Sequence, residues 1–421
     1  MPDPHQSTQT INGLLMTNCR ICAAPIAPFM SFGQMPIANG FLLPEQFEDE
    51  YFFELAPAFC NACSMVQIIE QPDPEVMFHE NYAFFSRTSR YMQEHFARFA
   101  EQVRQAFMSE SADPFVVELG SNDGIMLQNF ADKDIRHLGV EPSSNVAEIA
   151  RGHGVNTICE FFDEALAERL IAGHGHADAV LSANVMCHIP DLNSVAAGIA
   201  RLLKPTGVLV FEDPYLGDVI EKTSYDQIYD EHVFVFSATS VSDAFARHGL
   251  ELINVEPQIT HGGSMRYTLA PKGSRPVASA VGDCLAHEGS LGLGMAATYE
   301  RFRENCEASR DGLLVLLNQL RDQGARVVGY GATSKSTTVM NYCGIGPEHI
   351  EFISDTTPTK QGKFTPGSHI AVKSYDAFIA DYPSHALLFA WNHKAEIMAK
   401  EDGFRDAGGK WIEFIPKVQI S

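Results

Sequence analysis

Two separate blocks of short apolar runs, each run leading into a helical pattern, limit this chain more than any other feature. The first block contains Phe115-Val116-Val117-Glu118-Leu119, His137-Leu138-Gly139-Val140-Glu141, Ala179-Val180-Leu181-Ser182 and Gly207-Val208-Leu209-Val210-Phe211-Glu212. The second contains Arg326-Val327-Val328-Gly329-Tyr330-Gly331, His349-Ile350-Glu351-Phe352-Ile353-Ser354 and Ala386-Leu387-Leu388-Phe389-Ala390. Apolar strands alternating with helices signify mostly parallel sheets wrapped by helices. At 421 residues the chain is too long for one such core. The expectation is an α/β protein with two Rossmann-like domains, joined by an amphipathic helical stretch from Val277 to Arg321.

Ahead of the first block the sequence is different in kind. Residues 1–17 form a polar leader, and Asn18 to about Gln67 is interrupted by Pro, Gly and Asn, with too little apolar material for a large core. It carries Cys19-x-x-Cys22 and Cys60-x-x-Cys63, separated by thirty-seven residues. Two closely spaced thiolates can take adjacent corners of a tetrahedron, so two pairs make a closed four-sulfur site of the kind structural zinc prefers. Four unrelated core cysteines, or a redox dithiol in either pair, are the competing readings. A helical pattern follows between about Phe78 and Ala106, with Tyr91, His95, Phe96 and Phe99 at three- and four-residue intervals. The expected divisions are 1–75 for a small zinc-binding domain, 76–256 for the first Rossmann-like domain and 257–421 for the second.

The net charge of −23 opposes general nucleic-acid binding, which needs clustered Lys and Arg. No apolar run is long enough to span a bilayer, and Met1-Pro2-Asp3-Pro4-His5 does not open a signal peptide, so a cytoplasmic enzyme is expected. Nine cysteines in such a chain point to a metal site plus buried thiols rather than a disulfide framework. Buried packing is expected for Cys159, Cys187, Cys284, Cys306 and Cys343.

In Val117-Glu118-Leu119-Gly120-Ser121-Asn122-Asp123-Gly124, a first strand meets a first helix. Gly120 and Gly124 permit a sharp turn and close approach to a ligand, and Glu118 at the strand end can meet the cationic amino group of a methionine moiety. Asn122 and Asp123 occupy the turn, and an acidic turn repels a pyrophosphate, which disfavours a dinucleotide. Glu141 ends the second strand, where a carboxylate commonly takes ribose hydroxyls. Asn184 follows the next strand and can close over the ligand. Asp163 suits either an adenine amino group or a helix N-cap, the latter being the stronger expectation. Together these residues describe an S-adenosylmethionine site.

The sequence also resembles a known family, the zinc-carrying sugar C-3'-methyltransferases of deoxysugar biosynthesis. The resemblance runs from the Cys19 knuckle through the 117–124 turn to Trp391-Asn392-His393. Its most specific parts are Phe211-Glu212-Asp213-Pro214-Tyr215-Leu216-Gly217-Asp218, Tyr229-Asp230-Glu231-His232 and Gly329-Tyr330-Gly331-Ala332-Thr333-Ser334-Lys335. It implies C-methylation of a nucleotide-linked 4-keto-6-deoxysugar by S-adenosylmethionine, with S-adenosylhomocysteine as product. The substrate is thymidine- or guanosine-diphosphate-linked, and no nucleic acid or membrane takes part. The enzyme is expected as a monomer or homodimer.

Carbon must first become a nucleophile. A base removes the proton beside the ketone, and the enediolate attacks a methyl held about 3–3.5 Å away. The resemblance implies His232 as that base, with Glu231 and Tyr229 binding sugar hydroxyls or orienting the imidazole. His188 is a rival base or an oxygen-side donor. His261, beside Gly262 in a turn that permits close approach, is a further candidate. The Gly329–Lys335 turn suits a nucleotide diphosphate, giving Tyr330 and Lys335 as substrate ligands together with Tyr82, Ser86, Arg87, Lys363 and Asn392. The competing functions are O- or N-methylation, an NAD-dependent nucleotide-sugar epimerase or dehydrogenase, and a non-enzymatic zinc scaffold.

Overall fold

A computed structural model describes Thr10–Ile11, Leu14–Leu15, residues 17–73, Arg87 and residues 90–421. Tyr82 and Ser86 lie outside the described residues, as does the start of the helix expected from Phe78. The helix is described over Arg90–Val103 and buries His95, Phe96, Phe99, Ala100 and Val103, the face its periodicity marks.

The N-terminal lobe is built of antiparallel pairs. Gln34–Pro36 pairs with Phe52–Glu54, and Pro57–Phe59 pairs with Val66–Ile68. A short strand from far along the chain, Phe234–Val235, joins the second hairpin, with Phe234 opposite Gln67 and Val235 opposite Val66. The lobe's small core of Met35, Phe53, Leu55, Met65 and Ile68 is continuous with that of the next lobe.

The central sheet contains β1 (Phe115–Leu119), β2 (Arg136–Val140), β3 (Thr157–Ile158), β4 (Ala177–Ala183), β5 (Leu203–Pro214), β6 (Leu250–Gln258) and β7 (Ser264–Pro271). Their spatial order is β3-β2-β1-β4-β5-β7-β6. The first five run parallel and β7 is antiparallel to both neighbours. All five residues of β1 are buried, as a parallel strand covered on both faces requires. The strand order reverses between β1 and β4, and ligands of open α/β sheets bind beyond the carboxyl ends of strands at such a switch point. A division at residue 256/257 falls inside β6, and the sheet itself runs to Pro271.

One buried ionic network ties this lobe together. Glu212 on β5 accepts from Thr260 Oγ1 (2.7 Å) and from Arg266 Nη2 (2.9 Å), and His95 Nε2 lies 3.0 Å away. Burial by itself would raise the Glu212 carboxyl, but the hydrogen bond and charge of His95, with Arg266 and Thr260, bring it down to about 2. A lowered folded-state value stabilises the fold above the ordinary glutamate range and is lost as pH falls through about 2. Glu212→Gln leaves Arg266 buried without its counter-charge. It should cost about 3–5 kcal/mol in urea unfolding at neutral pH, a difference that shrinks on acidification.

Helices Ser279–Leu291 and Ala296–Asp322 lead to the C-terminal sheet. The longer one buries Tyr299, Phe302, Cys306, Leu313, Leu317 and Leu320 along one stripe. The sheet contains β8 (Val327–Tyr330), β9 (Ile353–Ser354), β10 (Val372–Lys373), β11 (His385–Leu388), β12 (Lys410–Glu413) and β13 (Gln419–Ile420), in the order β10-β9-β8-β11-β12-β13. Its switch point lies between β8 and β11, so the Gly331–Lys335 turn and the Trp391 turn sit side by side. Among the described residues no helix is long and apolar enough to cross a membrane.

Cys187, Cys306 and Cys343 are buried as expected, and Cys284 is half-buried. Cys159 is exposed instead, because it lies just beyond the edge strand β3 and points its thiol at the Pro142 carbonyl, 3.2 Å away.

Candidate functional site

Each Cys-x-x-Cys pair closes a turn whose next residue has left-handed backbone, Ala23 at φ 59° and Ser64 at φ 56°. The Ala23 amide donates to the Cys19 carbonyl (2.9 Å) and the Ser64 amide to the Cys60 carbonyl (2.8 Å). The second turn is also the loop of the hairpin between Pro57–Phe59 and Val66–Ile68. Cys19 and Cys63 sulfurs lie 3.5 Å apart, as do those of Cys22 and Cys60, and all four lie within 4.8 Å of one another. A tetrahedron with Zn–S bonds of about 2.3 Å has edges of about 3.8 Å, so Zn2+ fits this cage. Its neighbour Cys63 holds the Cys19 thiol down to about 4, helped by donors from Ile21 (3.4 Å) and Gln67 Nε2 (3.0 Å). That outer layer stabilises a thiolate, the form that binds metal.

At the end of β1 the chain turns through Gly120 (φ 65°), Asn122 (φ 47°) and Gly124 (φ 76°). A Cβ on Gly120 would stand 2.3 Å from Val185 Cγ2, so only glycine fits. Glu118, Asp123 and Glu141 converge here. Glu141 accepts the amides of Asn122 (2.9 Å) and Ser143 (2.8 Å), which shapes the turn and leaves each oxygen one lone pair for a ligand. Burial, with Asp123 and Glu141 nearby, raises Glu118 well above the usual carboxylate range. Glu118 Oε2, Asp123 Oδ1 and Asn184 Oδ1 are buried and have no hydrogen-bond partner among the described residues. Orphaned acceptors beside excess negative charge suit a cationic ligand rich in N–H and O–H donors. S-adenosylmethionine fits that description and a pyrophosphate does not. Asn184 itself is held at φ 57° by its amide donating to the Glu212 carbonyl (2.7 Å).

One sequence assignment changes in this region, and the N-cap expected at Asp163 is found. Arg87, expected at the substrate, caps the acidic turn: its amide donates to Asp123 Oδ2 (2.8 Å) and Nη2 to the Asp123 carbonyl (3.3 Å). Asp163 accepts the Leu166 amide (2.7 Å) as the N-cap of helix Glu164–His174.

His232 is buried in the loop between the short helix Tyr225–Gln227 and strand Phe234–Val235. Its Nδ1 lies 2.6 Å from the Gln227 carbonyl. A carbonyl only accepts, so Nδ1 carries the proton and Nε2 keeps its lone pair. The Tyr229 ring lies 4.1 Å and the His188 ring 5.3 Å from the imidazole, centre to centre. Cys187 Sγ and ring nitrogens of His188 and His232 lie within 4.8 Å of one another. Burial first, then His188 and Lys335, hold His232 well below its ordinary range, and burial brings His188 down to about 4. Both rings are therefore neutral near pH 7. Glu231 accepts from Asn39 Nδ2 (2.6 Å), and burial raises its carboxyl.

The C-terminal lobe closes the cleft. Lys335, in the first turn of helix Ser334–Cys343, donates to the His261 carbonyl (2.9 Å). Burial lowers its amine to about 8. Its Nζ stands 5.6 Å from the centre of the Trp391 ring, whose Nε1 donates to Asp226 Oδ2 (2.6 Å). Asp226 is buried, is pushed up to about 6 by that burial, and leaves Oδ1 without a partner among the described residues. A Cβ on Gly262 would meet the Trp391 ring at 2.2 Å, so the His261–Gly262 turn packs directly on the turn holding half-buried Asn392.

Tyr330 does not stand where the sequence placed it. The Tyr330 ring faces the opposite side of the sheet, packed on Phe378 and Trp411 with its hydroxyl donating to Glu401 (2.7 Å). Lys363 lies on the ribbon next to Phe364, whose amide donates to the Leu42 carbonyl. Its neighbour Lys360 reaches the glycine turn, donating to the Ala332 carbonyl (2.7 Å). Sequence reasoning also passed over Asn39, Asp226 and Trp391 as site residues. Only the Trp-Asn-His motif hinted at Trp391.

This fold, with a donor turn at the switch point of the first sheet and a thiolate cage beside it, defines a zinc-carrying, S-adenosylmethionine-dependent methyltransferase. Residues 19–78 match a zinc binding domain family, 87–255 a methyltransferase domain family and 259–416 the C-methyltransferase C-terminal domain family. C-methyltransferase NovU of Streptomyces niveus is 33% identical over 405 residues, 96% of each chain, and this protein belongs to the same C-methyltransferase family. A ubiquinone biosynthesis O-methyltransferase of Sodalis glossinidius is 26% identical over 98 residues, 23% of this chain and 39% of its own. The solved magnesium protoporphyrin IX methyltransferase of Synechocystis PCC 6803 aligns with 42% of this chain and 80% of its own, at 12% identity and a TM-score of 0.32.

Proposed function

We propose that this C-methyltransferase works in the cytoplasm, methylating C-3' of a 4-keto-6-deoxysugar linked to thymidine or guanosine diphosphate, with His232 as the base. One observation carries the reading: a buried neutral imidazole, fixed through Nδ1, keeps its Nε2 lone pair and has Lys335 of the C-terminal lobe among its neighbours. Such a group accepts a proton but cannot donate one until it has done so, as general-base catalysis requires. Tyr229 and Glu231 position the sugar ring or the imidazole, and His188 lies on the same side as the developing enediolate oxygen.

Glu118, Gly120, Asn122, Gly124, Glu141 and Asn184 hold S-adenosylmethionine, which supplies an electrophilic methyl. The nucleotide diphosphate lies at the N-terminus of helix Ser334–Cys343 with Lys335, beside the packed His261–Gly262 and Asn392 turns. Buried Lys335 and half-buried Lys360 give this acidic chain a local positive field. Only protonated Lys335 attracts phosphate, so KM for the sugar nucleotide should climb as pH rises through about 8 while kcat changes little. In Lys335→Gln, KM should be higher and flat over that range.

The deciding experiment uses a sugar nucleotide deuterated at C-3'. Loss of that deuterium to solvent during turnover is the expected result. A methylated product that keeps it would transfer the reading to O- or N-methylation.

A further inference from the structure

Both neighbouring lobes grip the loop that carries His232. From the zinc lobe, the Ala38 amide donates to Asp230 Oδ1 (3.2 Å), Asn39 Nδ2 to Glu231 Oε1 (2.6 Å) and the Ile68 amide to the Val233 carbonyl (2.9 Å). These contacts fall on both sides of His232. From the C-terminal lobe, Thr338 Oγ1 donates to the Ile228 carbonyl (3.0 Å), and Thr337 Oγ1 braces the Ala38 carbonyl (2.9 Å). Lys360 is an electrostatic neighbour of Glu231 and stands 4.9 Å from the centre of the Phe41 ring, two residues beyond Asn39.

Asp230 and Glu231 are adjacent carboxylates, both buried, and each is served by one donor from the 38–39 segment. A buried carboxylate that loses its donor must take up a proton or move. Movement shifts the backbone one residue away from the imidazole, and protonation replaces the acceptor that anchors it with a neutral group. Resting on the reading of His232 as the base, we propose that Asn39 is a positioning residue for proton abstraction. It locks Glu231, and so makes the zinc lobe a working part of the base machinery while leaving the methyl-donor site untouched.

The test measures washout of C-3' deuterium from whichever of the two diphosphate-linked ketosugars the wild-type chain turns over, in the presence of S-adenosylhomocysteine. Asn39→Ala should slow washout about 10- to 100-fold, the cost of a small misplacement of a catalytic group. Zinc content and S-adenosylhomocysteine affinity should stay at wild-type levels. Asn39→Asp should be slow at pH 8 and recover toward pH 6, because a proton shared with Glu231 restores the lost hydrogen bond. A role confined to folding predicts no such recovery. Thr337→Val loosens the same segment from the opposite side and should slow washout to a smaller degree, which decides the matter if the Asn39 variants fold poorly.

Washout within twofold of wild type in all three variants, or a pH-independent defect in Asn39→Asp, overturns the proposal. His232→Gln separates the two readings. If it retains wild-type washout the base assignment itself fails, whereas a dead His232→Gln beside normal Asn39 variants sinks only the positioning role.

Discussion

Replacing His232 with glutamine is expected to lower turnover by about 10²- to 10⁴-fold, the range general-base catalysis supplies. Glutamine keeps a polar side chain of similar reach and can still donate to the Gln227 carbonyl that now receives Nδ1–H. It offers no basic nitrogen. Donor and sugar-nucleotide affinities should therefore hold within a few fold by calorimetry, while deuterium washout and methyl transfer fall together. The rate should stay flat down through pH 6, because burial and the neighbouring His188 and Lys335 keep the imidazole deprotonated there. A wild-type acid limb centred near 6.5, the ordinary histidine value, would show that burial does not hold the base in its neutral form.

Cys19→Ser, or chelation of the metal, should produce the largest change in stability. A structural zinc contributes on the order of 10 kcal/mol of binding free energy to the folded state, and the apolar core that the N-terminal lobe itself contributes is small. Thermal unfolding should occur well below the wild-type midpoint, with zinc content reduced. The hairpin closed by Cys60 and Cys63 is also the one that pairs with Phe234–Val235. Loss of metal is therefore expected to suppress proton abstraction even in the fraction of chains that remains folded. A stable, metal-free and fully active variant would remove zinc from the account.

Much of this was visible in the residues because the chemistry is local. Two Cys-x-x-Cys pairs fix their own turns, and the Gly120–Gly124 turn follows from backbone geometry that only small residues permit. The two parallel sheets follow from runs such as Phe115–Leu119 that are buried on both faces. Errors arose where side-chain direction or distance along the chain decides the outcome. Tyr330 ends its strand with the ring on the face opposite the cleft, and alternation about that strand gives no sign of which face the ligand uses. Lys360 lies in an irregular ribbon, where no periodicity marked it as reaching the glycine turn. Asn39 lies 192 positions from Glu231, and Trp391 lies 165 from Asp226. No single-chain pattern records such meetings.

The two-sided grip on the Tyr225–Val233 loop also bears on how these enzymes can be recombined. Exchanging one lobe for that of a relative cuts through bonds made by residues 38–39, 66–68 or 337–338, even when the graft point lies in a solvent-facing linker. A functional chimaera must carry those short stretches as a set with the loop they hold. Substrate preference should then be transferable by regrafting the cleft walls around an unchanged centre.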